Sequence, residues 1–251
     1  MSFAQTLVLG TVAGLTIFLG LPIAKVRAVQ PKHMAFLNAL AIGILLFLFV
    51  EITTHAAGPV EDAMKAGRSD VPLLLASLVG GFVVGFLSLV YYGRRFMTTA
   101  AGSGQRLALL IALGIGLHNF SEGLAIGNSA QRGELALALT LVVGFALHNV
   151  TEAFGIAAPV AGAGVGWGTL ALAGVIAGGP NFFGTIIGYN FASAEVSVVF
   201  LALAAGALVF VIGELFAAGR RLTAPVWNGW GLAVGFLAAL LTDFFLVAAG
   251  G

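Results

Sequence analysis

The chain has 251 residues, of which 60% are hydrophobic and only 8% are charged, and its formal net charge is +1. Soluble domains carry about 25% charged residues, so this chain has too few to cover a water-soluble globule. The near-neutral charge also argues against a nucleic-acid partner, which would require clustered Lys and Arg. Because the chain contains no cysteine, a bound metal would have only oxygen and nitrogen ligands.

Long apolar segments predict an all-α polytopic membrane protein embedded in a lipid bilayer. A helix needs about 20 apolar residues to cross a bilayer, and charges, prolines and polar clusters separate eight such segments here. The loops between them are short, so we expect one domain, residues 1–251. Spans one to eight are predicted at residues 3–24, 34–55, 72–92, 106–128, 135–161, 167–189, 196–217 and 227–249.

The distribution of positive charge predicts how the spans are oriented. Eight Lys and Arg residues lie in the loops that follow spans one, three, five and seven, against three in the opposite loops. Cytoplasmic loops retain Lys and Arg, so the richer set should be cytoplasmic and both termini should lie outside. The short loops and the absence of a signal peptide fit a prokaryotic inner membrane.

Two similar polar segments lie deep in spans four and five. Residues 118–122 read His-Asn-Phe-Ser-Glu, and residues 148–152 read His-Asn-Val-Thr-Glu. In a helix, His and Glu four residues apart share one face, with Asn at its flank. Two such helices side by side would offer six candidate ligands, namely His118, Asn119, Glu122, His148, Asn149 and Glu152.

This set of side chains suits a divalent transition metal. Imidazole favours Zn²⁺, Fe²⁺, Cu²⁺ and Ni²⁺, while carboxylate and amide oxygens extend the choice to Mn²⁺. Burying a carboxylate in a bilayer is costly unless a partner compensates its charge. A single segment of this kind could equally be a His–Glu pair that ties helices together. Its repetition favours the metal site.

Five further polar residues are candidates for a pathway or an auxiliary site: Glu51 and His55 in span two, Asn181 in span six, Glu214 in span seven and Asp243 in span eight. Each has a structural alternative. Residues near the end of a span can reach the interface, and Pro180 before Asn181 permits a break or kink that is structural only.

The segments His-Asn-Phe-Ser-Glu-Gly-Leu-Ala and His-Asn-Val-Thr-Glu-Ala-Phe-Gly-Ile-Ala-Ala-Pro resemble the ZIP (Zrt-, Irt-like protein) family of divalent metal transporters. The similarity extends to residues 43–51 in span two, 205–215 in span seven and 235–243 in span eight. Most of the chain is therefore covered by the resemblance.

The resemblance implies a fold and a function. The expected fold is an eight-helix bundle in a 3+2+3 arrangement, in which spans one to three and six to eight form an inverted repeat around spans four and five. The expected function is uptake into the cytoplasm of Zn²⁺, and also of Cd²⁺, Fe²⁺ or Mn²⁺, by a homodimer that works by alternating access. The metal ion is a substrate here, and the chain is not expected to be an enzyme.

By carry-over from the family, His118, Glu122, His148 and Glu152 would form one metal position. A neighbouring position would use Asn119, Glu122, Asn149 and Glu152, with both glutamates bridging. The chain departs from the family pattern where Ser121 and Thr151 replace a proline, at Ala153, and at Gly179, where many members have a glutamate before the proline. The last departure predicts that the second metal position is weakened or lost.

An intramembrane metal-dependent hydrolase is the alternative from another functional class. A catalytic metal would need three protein ligands and an open position for water, and this chain could supply those ligands. The two near-equal halves of the motif pair favour ion passage over an asymmetric acid–base arrangement. A metal sensor or a scaffold that does not transport is a third possibility.

Overall fold

The computed structural model describes the backbone of residues 1–26, 30–97, 103–133, 135–191, 193–220, 222 and 224–248. Within these ranges, the side chains of residues 92–97, 103, 136, 137, 140, 148, 194, 218, 246 and 247 fall outside the description. The helices are α1 (Phe3–Leu15), α2 (Ile17–Gly20), α3 (Pro31–Lys65), α4 (Val71–Met97), α5 (Ser103–Gln131), α6 (Leu135–Ala157), α7 (Trp167–Asn190), α8 (Ala194–Gly219) and α9 (Pro225–Ala248).

Eight helical segments of the described chain are long and apolar enough to cross a membrane. The first span combines α1, α2 and a 3₁₀ turn, Leu21–Lys25, and spans two to eight correspond to α3 to α9. No strand occurs in the residues that the structure describes. The prediction of an all-α polytopic membrane protein is confirmed.

Span two is longer than predicted. We expected it to end at residue 55, before Gly58-Pro59, but α3 continues to Lys65 with Pro59 inside the helix. Proline removes one backbone hydrogen bond, yet packing on the following turns holds the helix together. Val60 and Ala63 are buried in a separate cluster with Leu74 and Val198.

The irregular backbone occurs in span one and not in span six. The helix α7 is continuous from Trp167 to Asn190 across Pro180, so the break that proline permits there does not form. Span one is instead interrupted at Thr16, whose hydroxyl donates to the carbonyl of Ala13 at 2.6 Å. This interruption lies beside the functional site described below.

The helices pack as two groups of four spans. The motif group contains span one with α5, α6 and α7, and the support group contains α3, α4, α8 and α9. The most extensive packing is inside the groups, where α5 lies against α7, α3 against α9 and α4 against α8. The two groups meet mainly through α5 with α8 and α3 with α6.

The pairing of helices shows an inverted repeat. Spans one, two and three correspond to spans six, seven and eight, in that order, and span four corresponds to span five. Under this correspondence, every extensively packed pair of spans but one maps either onto another packed pair or onto itself. The exception is α3 with α4. Since successive spans cross in opposite directions, a span and its counterpart also run in opposite directions. The expected 3+2+3 arrangement is therefore the packing that the structure shows.

Glycines on both partners let the backbones inside each group approach closely, as small residues do in membrane helices. A Cβ atom added at Gly14 would collide with the carbonyl oxygen of Gly178, and the reverse also holds. The same reciprocity occurs between α3 and α9 and between α4 and α8. Gly43 on α3 would meet the carbonyl of Leu232 and Gly235 on α9 that of Leu40, while Gly85 on α4 would meet the carbonyl of Leu203 and Gly206 on α8 that of Phe82.

The boundary between the groups is built differently. Here Gly114 on α5 faces the side chain of Val211 on α8, and Gly155 on α6 has the Cβ of Ala41 on α3 at 3.2 Å. The nearest atoms across the boundary at these glycines belong to side chains. The Val211 side chain can change rotamer, whereas the Cβ of Ala41 is fixed by its backbone, so at these two positions the boundary lacks the close backbone-to-backbone approach seen inside the groups.

We predict that Gly85→Ala destabilises the protein, because the added methyl would collide with the carbonyl of Leu203. Overpacking of this kind costs about 1–3 kcal/mol. The matched control is Gly80→Ala on the same helix, where no atom lies within 4 Å of the added Cβ. Thermal unfolding of the detergent-purified variants should show a lower midpoint for Gly85→Ala alone, and equal midpoints would contradict the packing described.

Candidate functional site

The helices α5 and α6 bring the two motifs together in the interior of the motif group. Asn119 and Asn149 have no exposed surface, and Glu122 and Glu152 are only 3% and 2% exposed. His118 is buried as well. Five of the six predicted ligands are therefore buried in one region between two adjacent helices.

The two motif asparagines join four spans. Asn119 donates from Nδ2 to Oδ1 of Asn149 at 2.6 Å and to the carbonyl of Ala177 on α7 at 3.0 Å. Asn149 donates from Nδ2 to the carbonyl of Ala13 on α1 at 2.9 Å. Ala13 and Ala177 lie on counterpart spans of the inverted repeat, so both halves anchor their asparagine in the same way.

Each anchoring carbonyl lies beside an irregularity in its helix. Ala13 precedes the interruption at Thr16. Ala177 follows Ile176, whose carbonyl would otherwise accept from residue 180, where proline has no N–H to donate. The carbonyl of Ala13 accepts from the backbone N–H and the hydroxyl of Thr16 as well as from Asn149. Pro180 frees the carbonyl of Ile176 and not that of Ala177, so Ala177 accepts from Asn119 within a continuous helix.

His118 lies between the two motif carboxylates. Its Nε2 is 3.3 Å from Oε1 of Glu122 on the same helix and 3.6 Å from Oε1 of Glu152 on α6. The spacing of four residues brings His118 and Glu122 onto one helical face, as expected. The contact with Glu152 comes from the packing of α5 against α6.

Nitrogen and oxygen atoms that could serve as metal ligands, but that have no hydrogen-bond partner, are concentrated around this point. Buried polar atoms in proteins are nearly always paired, so such a concentration in the middle of a membrane helix bundle indicates a place that binds a ligand. The atoms that make no hydrogen bond are both ring nitrogens of His118, Oδ1 of Asn119, Oε1 of Glu122, both carboxylate oxygens of Glu152, and Oδ1 of Asn181. Among them, Nε2 of His118 lies within ion-pair distance of Oε1 of both glutamates.

The chemistry of these donors fits a divalent transition-metal ion. Ligand atoms at about 2.0–2.2 Å from one ion lie roughly 3–3.6 Å from each other, and both His118 contacts fall in that range. Among the described His, Asp and Glu side chains, however, no group of three or more is arranged to hold an ion. Amide oxygens therefore have to complete any ligand set formed from these residues.

The prediction for His148 concerns a side chain outside those that the structure describes. Ser121, which replaces the proline of the resembled family, donates its hydroxyl to the carbonyl of His118 at 2.6 Å. The hydroxyl of Ser121 is therefore committed to its own helix.

Asn181 contacts the glutamate of the first motif. It is fully buried on α7, and its Nδ2 lies 3.4 Å from Oε2 of Glu122. Its position directly after Pro180 was the sequence signal, but only the packing of α7 on α5 shows that its side chain contacts a motif glutamate.

The remaining auxiliary candidates lie in the support group. Glu51 on α3 is half-buried, has an unpartnered Oε2, and interacts electrostatically with His118, Asp243 and His55. The ring of His55 is exposed, and its Nδ1 lies 2.9 Å from the backbone carbonyl of Glu51.

Glu214 and Asp243 are half-buried on α8 and α9. Glu214 is the repeat counterpart of Glu51, because Glu51 follows Gly43 and Glu214 follows Gly206 by the same eight residues (51 − 43 and 214 − 206). Sequence reasoning missed this correspondence, although the matched spacing was readable.

We predict that Asn149→Ala destabilises the fold independently of any ligand. The substitution removes the partner of Asn119 and leaves the Ala13 carbonyl without its outside donor. Each buried hydrogen bond contributes about 0.5–1.5 kcal/mol, while Asn119 keeps its bond to Ala177 and Ala13 keeps those from Thr16. Asn190→Ala is the control, since the Asn190 side chain is exposed and bonds only to its own helix at Ile186. Thermal unfolding of the two variants should separate them, and identical midpoints would show that the asparagine pair is not structural.

Comparisons with models of known protein families and with curated proteins found no match for this chain. The features of the chain that bear on its function are therefore the two His-Asn-x-x-Glu segments, the inverted packing around them and the possible metal-ligand atoms between them. These segments and atoms lie in one buried region between α5, α6 and α7.

Proposed function

We propose that this chain is a ZIP-like secondary transporter that carries divalent transition-metal ions into the cytoplasm, with Zn²⁺ as the principal substrate and Cd²⁺, Fe²⁺ or Mn²⁺ as others. The observation that carries the proposal is the concentration of unpaired donors from His118, Glu122, Glu152 and the neighbouring amides deep inside the helix bundle. The ion would bind between α5 and α6.

The charge of the site supports a cation as the substrate. Glu122 and Glu152 are almost completely buried, and two carboxylates in a low-dielectric region repel each other unless a cation or protons lie between them. One divalent ion would neutralise both carboxylates. Nitrogen and oxygen donors of these kinds are those that Zn²⁺, Fe²⁺ and Mn²⁺ accept.

The packing of the bundle supports passage of the ion. Transporters built from inverted repeats place the substrate near the membrane midplane, between repeats, and expose it to each side in turn. In this chain the helices of the motif group pack more extensively on each other than on the support group. Movement of the motif group against the support group is the alternating access that we propose.

The oligomeric state and the cellular location belong to the same proposal. Only 22% of the apolar stretch of α4 and 17% of that of α9 are buried inside the protein. The outer face of the support group is therefore free for lipid and for a second copy of the chain. We propose a homodimer formed through this face. The excess of Lys and Arg in one set of loops favours termini outside a prokaryotic inner membrane.

We predict that Glu152→Ala abolishes metal uptake into proteoliposomes, because it removes one of the two carboxylates that would neutralise the ion. Uptake of Zn²⁺, Cd²⁺, Fe²⁺ and Mn²⁺ by the native chain would also give the selectivity directly. Glu61→Gln is the matched control, because Glu61 is exposed near the end of α3 and pairs with Lys65 at 3.6 Å. The control should retain native flux.

Unchanged flux in both Glu122→Ala and Glu152→Ala would refute the transport assignment. Gel filtration of each variant in detergent distinguishes loss of flux from loss of folding. Hydrolysis of lipid or peptide by the purified native protein, without net metal movement, would favour the hydrolase instead.

A further inference from the structure

A groove on the outer surface of the bundle follows the contact between α5 and α7 and is lined only by apolar residues. Its volume is about 290 Å³, near the lower end of the range for ligand pockets, about 300–1,000 Å³. Its walls include Leu113, Leu117 and Phe120 of α5, Phe183 of α7 and Phe200 of α8. The groove is separate from the donor atoms of the motifs, none of which lines it.

The groove lies near the middle of the membrane and opens towards lipid. Its lining residues fall within positions 113–120 of α5 and 176–183 of α7, close to the centres of these two membrane-spanning helices. Leu113 is 41% exposed and Phe183 is 60% exposed, so the groove is continuous with the lipid-facing surface. At this depth the bilayer contains only hydrocarbon, which the acyl chains of the lipids supply.

The space in the groove cannot be closed by moving the two helices together. A Cβ atom at Gly116 would already collide with the carbonyl oxygen of Ile176 and lie close to the ring of Pro180. Apolar walls lose van der Waals contacts wherever a space stays unfilled, and no polar side chain lines the groove to hold a water molecule. An acyl chain is therefore the occupant that restores these contacts.

The aromatic residues of the groove belong to one half of the repeat only. They are Phe120, Phe183 and Phe200. Their counterparts, counted from the motif asparagines, the anchoring alanines and the Glu51 and Glu214 pair, are the aliphatic residues Val150, Leu19 and Leu37. The packing of the repeat thus does not require aromatic rings at these positions. Aromatic rings offer large contact areas, and these three rings offer theirs to the occupant of the groove.

The groove also lies at the boundary between the two helix groups. The ring of Phe120 in the motif group and the ring of Phe200 in the support group have their centres 4.3 Å apart, and both rings line the groove. A chain that lies against both rings contacts both groups. Its binding therefore stabilises the arrangement of the groups that the structure shows.

We infer that this groove binds one acyl chain of a membrane phospholipid, and that the bound lipid connects the motif group to the support group. Because no charged or hydrogen-bonding side chain lines the groove, the protein recognises the acyl chain and not the headgroup. The inference goes beyond the proposed function and does not depend on metal transport.

The test is the number of phospholipids that stay bound per chain, measured by native mass spectrometry of the detergent-purified protein after incubation with phosphatidylethanolamine or phosphatidylglycerol. We expect one retained lipid of either kind for the native chain and none for Leu113→Trp, whose larger ring fills the groove. Leu172→Trp is the matched control, because Leu172 is 51% exposed on α7 and lies outside the groove. It should retain the lipid.

Thermal unfolding gives a second readout. A ligand that binds only the folded protein stabilises it, so added phospholipid should raise the unfolding midpoint of the delipidated native chain and of Leu172→Trp. The midpoint of Leu113→Trp should not change. Equal shifts in all three proteins would show that the stabilising lipid binds elsewhere and would overturn the inference.

Three results of the retention measurement would also overturn it: a native chain that retains no lipid, equal retention by a folded Leu113→Trp, and retention of only one of the two phospholipids, which would identify the headgroup as the recognised part. If Leu113→Trp does not fold, Phe183→Ala decides. Phe183 is largely exposed, so its truncation should leave the fold intact while removing one wall of the groove. We expect this variant to lose the lipid, and unchanged retention would refute the groove as the binding site.

Discussion

Polar groups in the middle of a bilayer must be satisfied within the protein, because lipid offers them no hydrogen bonds. In this chain the constraint falls most heavily on Asn119 and Asn149. Their amides hold each other and reach the carbonyls of Ala177 and Ala13. This chain of hydrogen bonds ties α5 and α6 to α7 and α1, and so fixes the four helices between which the unpaired donors of the site lie.

Because of the asparagine pair, different residues of the motifs have different roles. Because the amide nitrogens are used to join helices, what Asn119 has left for a ligand is its oxygen, which is buried and unpaired. The histidine and the two glutamates have few structural hydrogen bonds and are available for binding. Within one short motif, the amide nitrogens make the hydrogen bonds that join helices, and other atoms are left as candidate ligands.

Much of the fold was predictable because the membrane imposes simple rules. The eight spans follow from apolar length, and the approach of the two motifs follows from their repetition. The extension of α3 through Pro59 was not predictable, since it depends on Val60 and Ala63 meeting Leu74 and Val198, which are distant in sequence. Likewise, Pro180 suggested a break in span six, whereas the interruption lies at Thr16, which no proline precedes in span one. The contact of Asn181 with Glu122 required the packing of α7 on α5, which local sequence does not encode.

The interruption at Thr16 is the clearest difference between the two halves of the repeat, since its counterpart α7 runs without a break. If the chain is the alternating-access transporter proposed above, its second state would be reached when the two halves exchange these conformations. Threading span one on the backbone of α7, and α7 on that of span one, would therefore give a starting image of the protein open to the other side of the membrane.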